Sequence, residues 1–270
     1  MNLFHAAFLG ALQGLTEVLP ISSSAHLILV PWLLRWPASG LTFDVALHLG
    51  TFIALSIYFR RDIVELVGNF FRSIREKKAD SPTDRLPFYI IAGTIPAAIV
   101  GKALEGHIEE IFRKSPVLIA CFLIVFGLIL ALSDSKGTKR LSLERITLKA
   151  AMIIGIAQCL ALIPGVSRSG ITITAALFIG FNREAAARFS FLLSLPIVAA
   201  AAFLELGDLV RSGIPEGETG GLVVGMASSA IFGYISVAFL LNFVKRSSLY
   251  PFVWYRIAAG TALLLFLTAS

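Results

Sequence analysis

Residues 14–26, GLTEVLPISSSAH, place a carboxylate, three consecutive hydroxyls and an imidazole within an otherwise apolar stretch of chain. Gln13 and Glu17 are four residues apart, so both lie on the same face of a helix. Pro20 is expected to end or kink that helix. In a membrane, a charged carboxylate costs about 2.5–3.5 kcal/mol, so Glu17 close to His26 indicates a functional or paired group. The alternative is a helix kink at which the serines only satisfy loose backbone groups.

A second polar cluster, PGVSRSGIT, occupies residues 164–172. Pro164 is expected to stop one helix, and Thr172 is expected to open the next as an N-terminal residue. The free amides of a helix N-terminus form a ready anion site, and the guanidinium of Arg168 can bind two phosphate oxygens at once. The alternative is an arginine that snorkels to the membrane interface.

The two clusters together supply an anion clamp, a carboxylate, a histidine and several hydroxyls. If they meet inside a membrane, this set suits the hydrolysis of a phosphorylated lipid, and the transport of an anion fits nearly as well. The pair Glu17 and His26 favours hydrolysis, because transport alone needs a clamp but no acid–base partner.

The composition of the whole chain indicates a polytopic membrane protein. Of its 270 residues, 57% are hydrophobic and 15% are charged, whereas soluble domains carry about 25% charged residues. The formal net charge of +6 is compatible with a nucleic-acid partner, but the basic residues lie in short loops between apolar runs. Membrane topology explains that placement better, so no nucleic-acid partner is expected. Cys121 and Cys159 lie in apolar surroundings without a metal-type spacing.

Six apolar stretches predict transmembrane helices, each close to the ~20 residues that a full span needs. They are roughly 43–59, 88–104, 117–133, 189–204, 222–244 and 251–268. Two further apolar regions, about 2–35 and 148–180, are interrupted by polar residues and prolines. We expect both to turn around inside the membrane, where irregular backbone is tolerated only when it is buried in protein or lines a wet cavity.

The basic residues predict the orientation of the chain. If the six spans alternate, 16 lysines and arginines lie on one side, seven of them within 60–87 and five within 134–149. The opposite loops hold Arg35, Lys102, Arg113, Lys114 and Arg211. The richer side is expected to be cytoplasmic by the positive-inside rule, which places both chain termini outside.

The chain also repeats itself at an offset of 145 residues. The matched polar residues are Gln13 with Gln158, Ser22 with Ser167, and Ser24 with Ser169. Each half holds one broken region and three spans, and because three is odd the second half must run upside down. Such repeats place a binding site near the membrane midplane.

The predicted fold is an all-α polytopic membrane protein, a single integral membrane domain over 1–270. It has two inverted-topology repeats, about 1–134 and 147–270, each a broken re-entrant helical region plus three transmembrane helices.

At these motifs the sequence resembles the bacitracin-resistance family of undecaprenyl-diphosphate phosphatases. The family pattern (E/Q)xxxE matches Gln13 to Glu17, and LPxSSxxH matches Leu19 to His26. The pattern PGxSRSxxT matches Pro164 to Thr172 in full, and the FDVALHLGT stretch at 43–51 also fits. Gln13 is the family's alternative to glutamate, so only one residue of the first pattern carries a charge here.

The resemblance implies removal of the terminal phosphate from undecaprenyl diphosphate, which recycles the carrier lipid of peptidoglycan synthesis and confers bacitracin resistance. It implies a multi-pass protein of the bacterial inner membrane with an outward-facing site and a polyprenyl diphosphate lipid as its partner, and it allows a homodimer. It also implies a divalent cation, magnesium or calcium, bound by Glu17 and Gln13, since hard cations prefer oxygen ligands. The alternative function is a flippase or transporter of a lipid phosphate or another anion.

The second cluster is then expected to bind the diphosphate. Catalysis of phosphoryl transfer relies mostly on positioning and on electrostatic stabilisation, which a guanidinium supplies. The expected phosphate-binding residues are Arg168, Ser167, Ser169 and Thr172.

The first cluster is expected to carry the reacting atoms. Ser23 is the candidate nucleophile, with His26 three residues on as base or acid. Rival schemes make His26 the nucleophile, or have a metal-bound water attack the phosphorus. His48 is expected to support a neighbouring helix or residue rather than react, and Tyr255 is expected to be an interfacial aromatic near a span end.

Overall fold

A computed structural model describes residues 2–37, 40–112, 115–212 and 218–269. Within these ranges eleven α-helices are joined by short turns and by two 3₁₀ segments, Leu143–Arg145 and Cys159–Leu162. The helices are α1 (Leu3–Val18), α2 (Ser23–Leu34), α3 (Leu41–Tyr58), α4 (Arg60–Glu76), α5 (Pro82–Phe112), α6 (Pro116–Lys136), α7 (Leu148–Gln158), α8 (Arg168–Ile179), α9 (Arg183–Ser212), α10 (Thr219–Val244) and α11 (Tyr250–Ala269). Arg113, Lys114 and the side chain of Arg211 lie outside the described part of the chain, so the charge count on their side stays a prediction.

Five of the described helices are long and apolar enough to cross a membrane. These segments are Pro82–Leu104, Pro116–Lys136, Arg183–Ala202, Thr219–Val244 and Tyr250–Ala269. They coincide with five of the six predicted spans. The remaining prediction, 43–59, is the first arm of a pair, Thr42–Tyr58 and Arg60–Glu76, that bends by 80°. The protein is therefore an all-helical, multi-pass membrane protein, as its composition predicts.

Both regions that were predicted to be interrupted form two short helices with a break between them. α1 ends at Val18 and α2 begins at Ser23, so Pro20 lies in the first break, where its missing N–H does no harm. The second break follows a 3₁₀ turn that ends at Leu162. The prediction that Thr172 opens the next helix is wrong, because Ser167 caps α8 and the helix begins at Arg168.

Very close helix contacts hold the first helix of each broken region. Gly10 on α1 lies against α10, and a Cβ at this position would stand 2.3 Å from the carbonyl oxygen of Gly225. Gly155 on α7 lies against α5, and a Cβ there would stand 2.1 Å from the carbonyl oxygen of Gly93. Larger side chains are therefore excluded at both positions, as is common where membrane helices approach closely. The two glycines are matched by the 145-residue offset, and each sits at the same kind of contact.

A buried carboxylate joins three segments at the end of the molecule that carries the basic loops. Asp134 at the end of α6 is 1% exposed and accepts hydrogen bonds from Arg183 Nε at 2.5 Å and from the Leu249 N–H at 2.9 Å. The Nζ atom of Lys139 lies 3.7 Å from the same carboxylate. Because the charge is compensated from several directions, its burial is tolerated, and the starts of α9 and α11 are fixed to α6.

Arg256 on α11 connects the two breaks. It is fully buried, and its guanidinium donates to the carbonyl oxygens of Pro20 at 3.2 Å and Gly165 at 2.7 Å. It also donates to Val166 O at 3.1 Å, and its Nε donates to Leu123 O on α6 at 3.1 Å. Breaking a helix frees carbonyl groups that must find donors inside a membrane. One arginine from a distant helix supplies these donors to both breaks at once.

We predict that Arg256→Lys destabilises the protein. An ammonium donates from a single point and cannot replace a planar guanidinium that reaches three separate segments. Each buried carbonyl left without a donor costs about 1–3 kcal/mol. The thermal unfolding midpoint in detergent is therefore expected to fall by several degrees, whereas Arg246→Lys, at an exposed position, should leave it unchanged. Equal midpoints for the two variants would contradict the role given to Arg256.

Candidate active site

Two serines with left-handed backbone begin the second helix of each broken region. Ser22 has φ 76° and Ser167 has φ 73°, a conformation that is sparsely populated by residues other than glycine and that clusters at functional sites. Each side chain caps the helix that follows it. Ser22 Oγ accepts from the Ala25 N–H at 3.4 Å, and Ser167 Oγ accepts from the Gly170 N–H at 3.1 Å.

The two breaks contact each other directly, as the sequence predicts for the two polar clusters. The Gly165 N–H donates to Ser22 Oγ at 3.1 Å, and Ser169 Oγ donates to the carbonyl oxygen of Leu19 at 3.1 Å. Residues 143 and 150 positions apart are thereby joined across the centre of the molecule. Side chains that follow the breaks therefore project into one shared region.

Glu17 is the point at which the side chains of the two clusters meet. Its carboxylate accepts from Arg168 Nη2 at 2.6 Å, from Ser23 Oγ at 2.5 Å and from Gln13 Nε2 at 3.2 Å. The carboxylate is almost fully buried, and the guanidinium compensates its charge. A serine hydroxyl that donates to a carboxylate is the arrangement by which a base activates a nucleophile. The structure thus brings together four predicted site residues: Gln13, Glu17, Ser23 and Arg168.

His26 does not join this group. Its Nδ1 lies 2.6 Å from the carbonyl oxygen of Ser22, and its Nε2 lies 2.6 Å from the hydroxyl of Tyr255. Both ring nitrogens are engaged away from Ser23, whose hydroxyl pairs with Glu17 instead. The expected pairing of Ser23 with His26 is therefore absent from the described contacts. Because His26 is held by the Ser22 turn and by α11, it fixes the backbone that precedes Ser23.

Ser169 and Thr172, both predicted to bind phosphate, are buried in helix contacts. Ser169 Oγ is taken by Leu19, as described above. Thr172 is fully buried, and its Oγ1 lies 2.7 Å from the carbonyl oxygen of Arg168 and 2.6 Å from Ser190 Oγ. Because α8 begins earlier than predicted, Thr172 lies in its second turn, where its hydroxyl contacts Ser190.

A cavity of ≈ 360 Å³ opens beside Glu17 and Ser23. Its polar wall includes Ser167, Arg168 and Gln158, and its apolar wall comes from α2, α5 and α9. Within the described part of the chain, Arg168 Nη1 and both amide atoms of Gln158, on two residues that line the cavity, are buried and lack a hydrogen-bond partner. The Oε1 of Gln13, which is not among the lining residues, is in the same state. Buried polar groups are rarely left in this state, so their positions are suited to a polar ligand.

His48 also lines this cavity. Its Nδ1 lies 2.8 Å from the carbonyl oxygen of Asp44, which leaves Nε2 facing Glu17 Oε2 at 3.7 Å. The side chain is 39% exposed, so the imidazole has access to both the carboxylate and the cavity. The expected supporting role of His48 stays a prediction, and the structure adds that its ring borders the cavity.

Three residues at or around the site are missed by the sequence prediction, and the signals for them differ. Gln158 is matched to Gln13 by the repeat, so the offset could have identified it. Arg256 is a charged residue inside a predicted span, which is by itself a functional or structural signal. Tyr255 reaches His26 from a segment 229 residues away, and no spacing rule connects the two.

Comparison with known proteins identifies the family. Residues 6–262 match the family described as bacitracin resistance protein BacA. A relative in Geotalea daltonii named undecaprenyl-diphosphatase is 68% identical over 99% of each chain. Relatives with the same name in Geobacter sulfurreducens and Thermomicrobium roseum are 65% and 47% identical, over 100% and 98% of both chains respectively. With these matches over nearly its whole length, and with the family's three motifs gathered around one cavity, this chain belongs to the bacitracin resistance protein BacA family.

Proposed function

We propose that the protein is an undecaprenyl-diphosphatase, a membrane enzyme that hydrolyses undecaprenyl diphosphate to undecaprenyl phosphate and inorganic phosphate. This reaction regenerates the carrier lipid of peptidoglycan synthesis and accounts for bacitracin resistance. The observation that carries the proposal is the contact of one carboxylate, Glu17, with both a hydroxyl nucleophile and an arginine at a single cavity. The relatives matched over nearly their full length carry the name of this activity.

In the proposed mechanism Ser23 attacks the terminal phosphorus while Glu17 accepts its proton, and the contact of Ser23 Oγ with Glu17 supports these roles. A bond from Ser23 Oγ to phosphorus forms, the bridging oxygen–phosphorus bond breaks, and undecaprenyl phosphate leaves. A water molecule then attacks the phosphoserine, and inorganic phosphate and the free serine hydroxyl result. Both displacements build negative charge on phosphate oxygens, which Arg168 stabilises through Nη1, the nitrogen that has no partner among the described residues.

Glu17 must lose the proton it has accepted before it can activate the water. His48 is placed for this task, because its Nε2 faces Glu17 Oε2 at 3.7 Å and its ring borders the cavity. This distance is longer than a hydrogen bond, but such contacts often tighten only when substrate is bound. His26 then has a positioning role, because its contacts with Ser22 and Tyr255 fix the turn that precedes Ser23.

The walls of the cavity suit a lipid diphosphate that enters from the outer side of the membrane. Leu27, Ile28, Ala97 and Ile197 form an apolar surface beside the polar group, where a polyprenyl chain can lie. The cavity also reaches Ala201, far along α9 from its basic start at Arg183. If the basic loops are cytoplasmic, as the positive-inside rule predicts, the site faces outward across the bacterial inner membrane and both termini lie outside.

An inverted repeat is the arrangement that best accounts for this divided site. Ser22 and Ser167 share their φ, their cap and their place in the 145-residue offset. Gly10 and Gly155, matched by the same offset, each touch a long helix of the other half. We infer that 1–134 and 147–270 are inverted halves of one domain, and that the site lies at their interface near the membrane midplane.

A divalent cation, magnesium or calcium, fits the chemistry of the donors in part. Glu17 supplies a carboxylate, and Gln13 Oε1 is a buried acceptor without a described partner. Within the described ranges, no group of three or more His, Cys, Asp or Glu side chains is arranged to hold a metal. Magnesium in phosphoryl-transfer sites is often held by one or two carboxylates together with substrate phosphates. We infer that Glu17 and Gln13 hold the cation, which neutralises charge on the diphosphate when it is bound.

The serine mechanism predicts that Ser23→Ala abolishes turnover. Removal of a nucleophile that works with a base lowers kcat by on the order of 10³-fold or more. Ser24→Ala is the matched control, because Ser24 borders the same cavity but its hydroxyl contacts only Ser22 among the described hydrogen bonds. The measurement is phosphate release from undecaprenyl diphosphate by purified protein in detergent. Near-normal turnover in Ser23→Ala, with loss in His26→Ala, would overturn the serine mechanism.

The clamp predicts that Arg168→Ala weakens substrate binding and slows the reaction. Loss of one transition-state donor in a buried site lowers kcat/KM by about 10²–10³-fold. Arg168→Lys should recover only part of this loss, since an ammonium cannot bind two phosphate oxygens in the geometry of a guanidinium. Steady-state kinetics, with thermal midpoints as a check on folding, provide the measurement. An unchanged kcat/KM in folded Arg168→Ala would exclude the clamp.

If the reaction requires a divalent cation, a chelator should remove activity, and added magnesium or calcium should restore it. Gln13→Ala should raise the cation concentration needed for half-maximal phosphate release, because one oxygen ligand is lost. Full turnover after exhaustive chelation would contradict a required cation. The same assay separates the proposed enzyme from a flippase or transporter, which would release no phosphate under any of these conditions.

A further inference from the structure

The helix α4 leaves the transmembrane bundle and runs across its edge. α3 is an apolar helix over the predicted span 43–59, and the chain bends by 80° between it and α4. A helix at that angle to a spanning helix lies nearly parallel to the membrane plane. Because α4 begins with Arg60 and Arg61 directly after α3 ends at Tyr58, it lies at the level where the bilayer meets water.

One face of α4 packs on the protein. Asn69 and Ser73 on this face are buried, and Asn69 Nδ2 donates to the carbonyl oxygen of Thr83 at 3.3 Å. Arg72 forms an ion pair with Asp84 at the start of α5. These contacts fix the rotation of the helix about its axis, so its remaining faces have defined directions.

A second face is an exposed apolar stripe. Val64, Val67, Phe71 and Ile74 are 72%, 49%, 65% and 53% exposed. They recur at intervals of three and four residues, which places them on one side of the helix. Exposed apolar side chains on the membrane-spanning helices face the lipid tails. This stripe differs, because it lies on a helix that runs along the edge of the membrane.

A basic edge borders the apolar stripe. Arg61 and Arg75 are exposed beside it on the helix surface, and Lys77 and Lys78 follow directly after the helix ends. The Arg75 side chain is 82% exposed, and among the described residues it pairs with its neighbour Glu76, at 3.6 Å. An apolar face with basic residues along its edge is typical of helices that lie in the headgroup region and bind anionic lipid.

We propose that α4 is an in-plane anchor that binds an anionic phospholipid surface. Val64, Val67, Phe71 and Ile74 insert at the boundary between headgroups and acyl chains, and the basic edge contacts the phosphates. The charge complementarity selects lipid as the occupant, since a second copy of this chain would bring the same positive edge. This surface is separate from the cavity at Glu17 and does not depend on the proposed reaction.

The test measures the depth of single labels on α4 in the full-length protein. Cys121 and Cys159 are replaced by serine, and one cysteine is introduced in Phe71→Cys or, as a control on the same helix, in Glu76→Cys. Each variant is labelled with bimane and reconstituted in vesicles of phosphatidylcholine with or without phosphatidylglycerol. Quenching by a spin label on the lipid is compared with quenching by iodide in water.

The label at Phe71 should be quenched several-fold more by the lipid-borne probe than the label at Glu76, and should be protected from iodide. Phosphatidylglycerol should increase this contrast, and added salt or the triple change Arg75→Gln, Lys77→Gln and Lys78→Gln should remove the increase. Circular dichroism checks that each variant is folded. Iodide quenching at Phe71 would mean a water-exposed face, and protection from both quenchers would mean that another protein surface covers it. Either result, or a contrast that is insensitive to phosphatidylglycerol, would overturn the proposal.

Discussion

The fold depends on one constraint, which is that backbone polar groups left open inside a membrane must find hydrogen-bond partners within the protein. Two helices are broken, and each break exposes carbonyl groups that water cannot reach inside a membrane. Arg256 donates to the carbonyls of Pro20 and Gly165, which occupy matched positions in the two breaks. Its further bonds to Val166 and to α6 leave the guanidinium fully buried. The cost of burying this charge is offset because nearly every donor is used.

The arrangement of the site follows from this constraint. With the two breaks joined to each other and to α11, the side chains that follow them have little freedom to move apart. Glu17 from the first region then meets Arg168 from the second, and the ion pair between them forms across 151 residues of sequence. The same carboxylate receives the hydroxyl of Ser23. Preorganised charge of this kind is the largest contribution that a protein makes to phosphoryl transfer.

Much of the fold and part of the site could be predicted from local sequence. Hydropathy identified the spans, and Pro20 and Pro164 marked the breaks, because these signals act within a few residues. The meeting of the two polar clusters is predicted because both coincide under the 145-residue offset, and the interface of such repeats forms a binding site. The α4 helix is not predicted, because its many charged residues lower the mean hydropathy of the segment. Its apolar stripe becomes visible only when the residues are plotted on a helical wheel.

Three features that the sequence does not predict have a common cause. The pairing of His26 with Tyr255, the burial of Thr172 against Ser190 and the role of Arg256 are set by partners on distant helices. Spacing along the chain suggests that His26 serves Ser23, but its two ring nitrogens contact the carbonyl oxygen of Ser22 and the hydroxyl of Tyr255. Tertiary contacts thus set the rotation of the short helix that follows each break, so a local motif does not predict the direction of its side chains.

In the proposed mechanism, phosphate passes through Ser23, activated by Glu17, before water releases it. The stereochemical course at the terminal phosphorus tests this most directly, with undecaprenyl diphosphate whose terminal phosphorus is made chiral by sulfur and oxygen isotopes. Two successive in-line displacements predict that the released phosphate analogue retains its configuration. Inversion of configuration would mean a single attack by water, and would contradict the account.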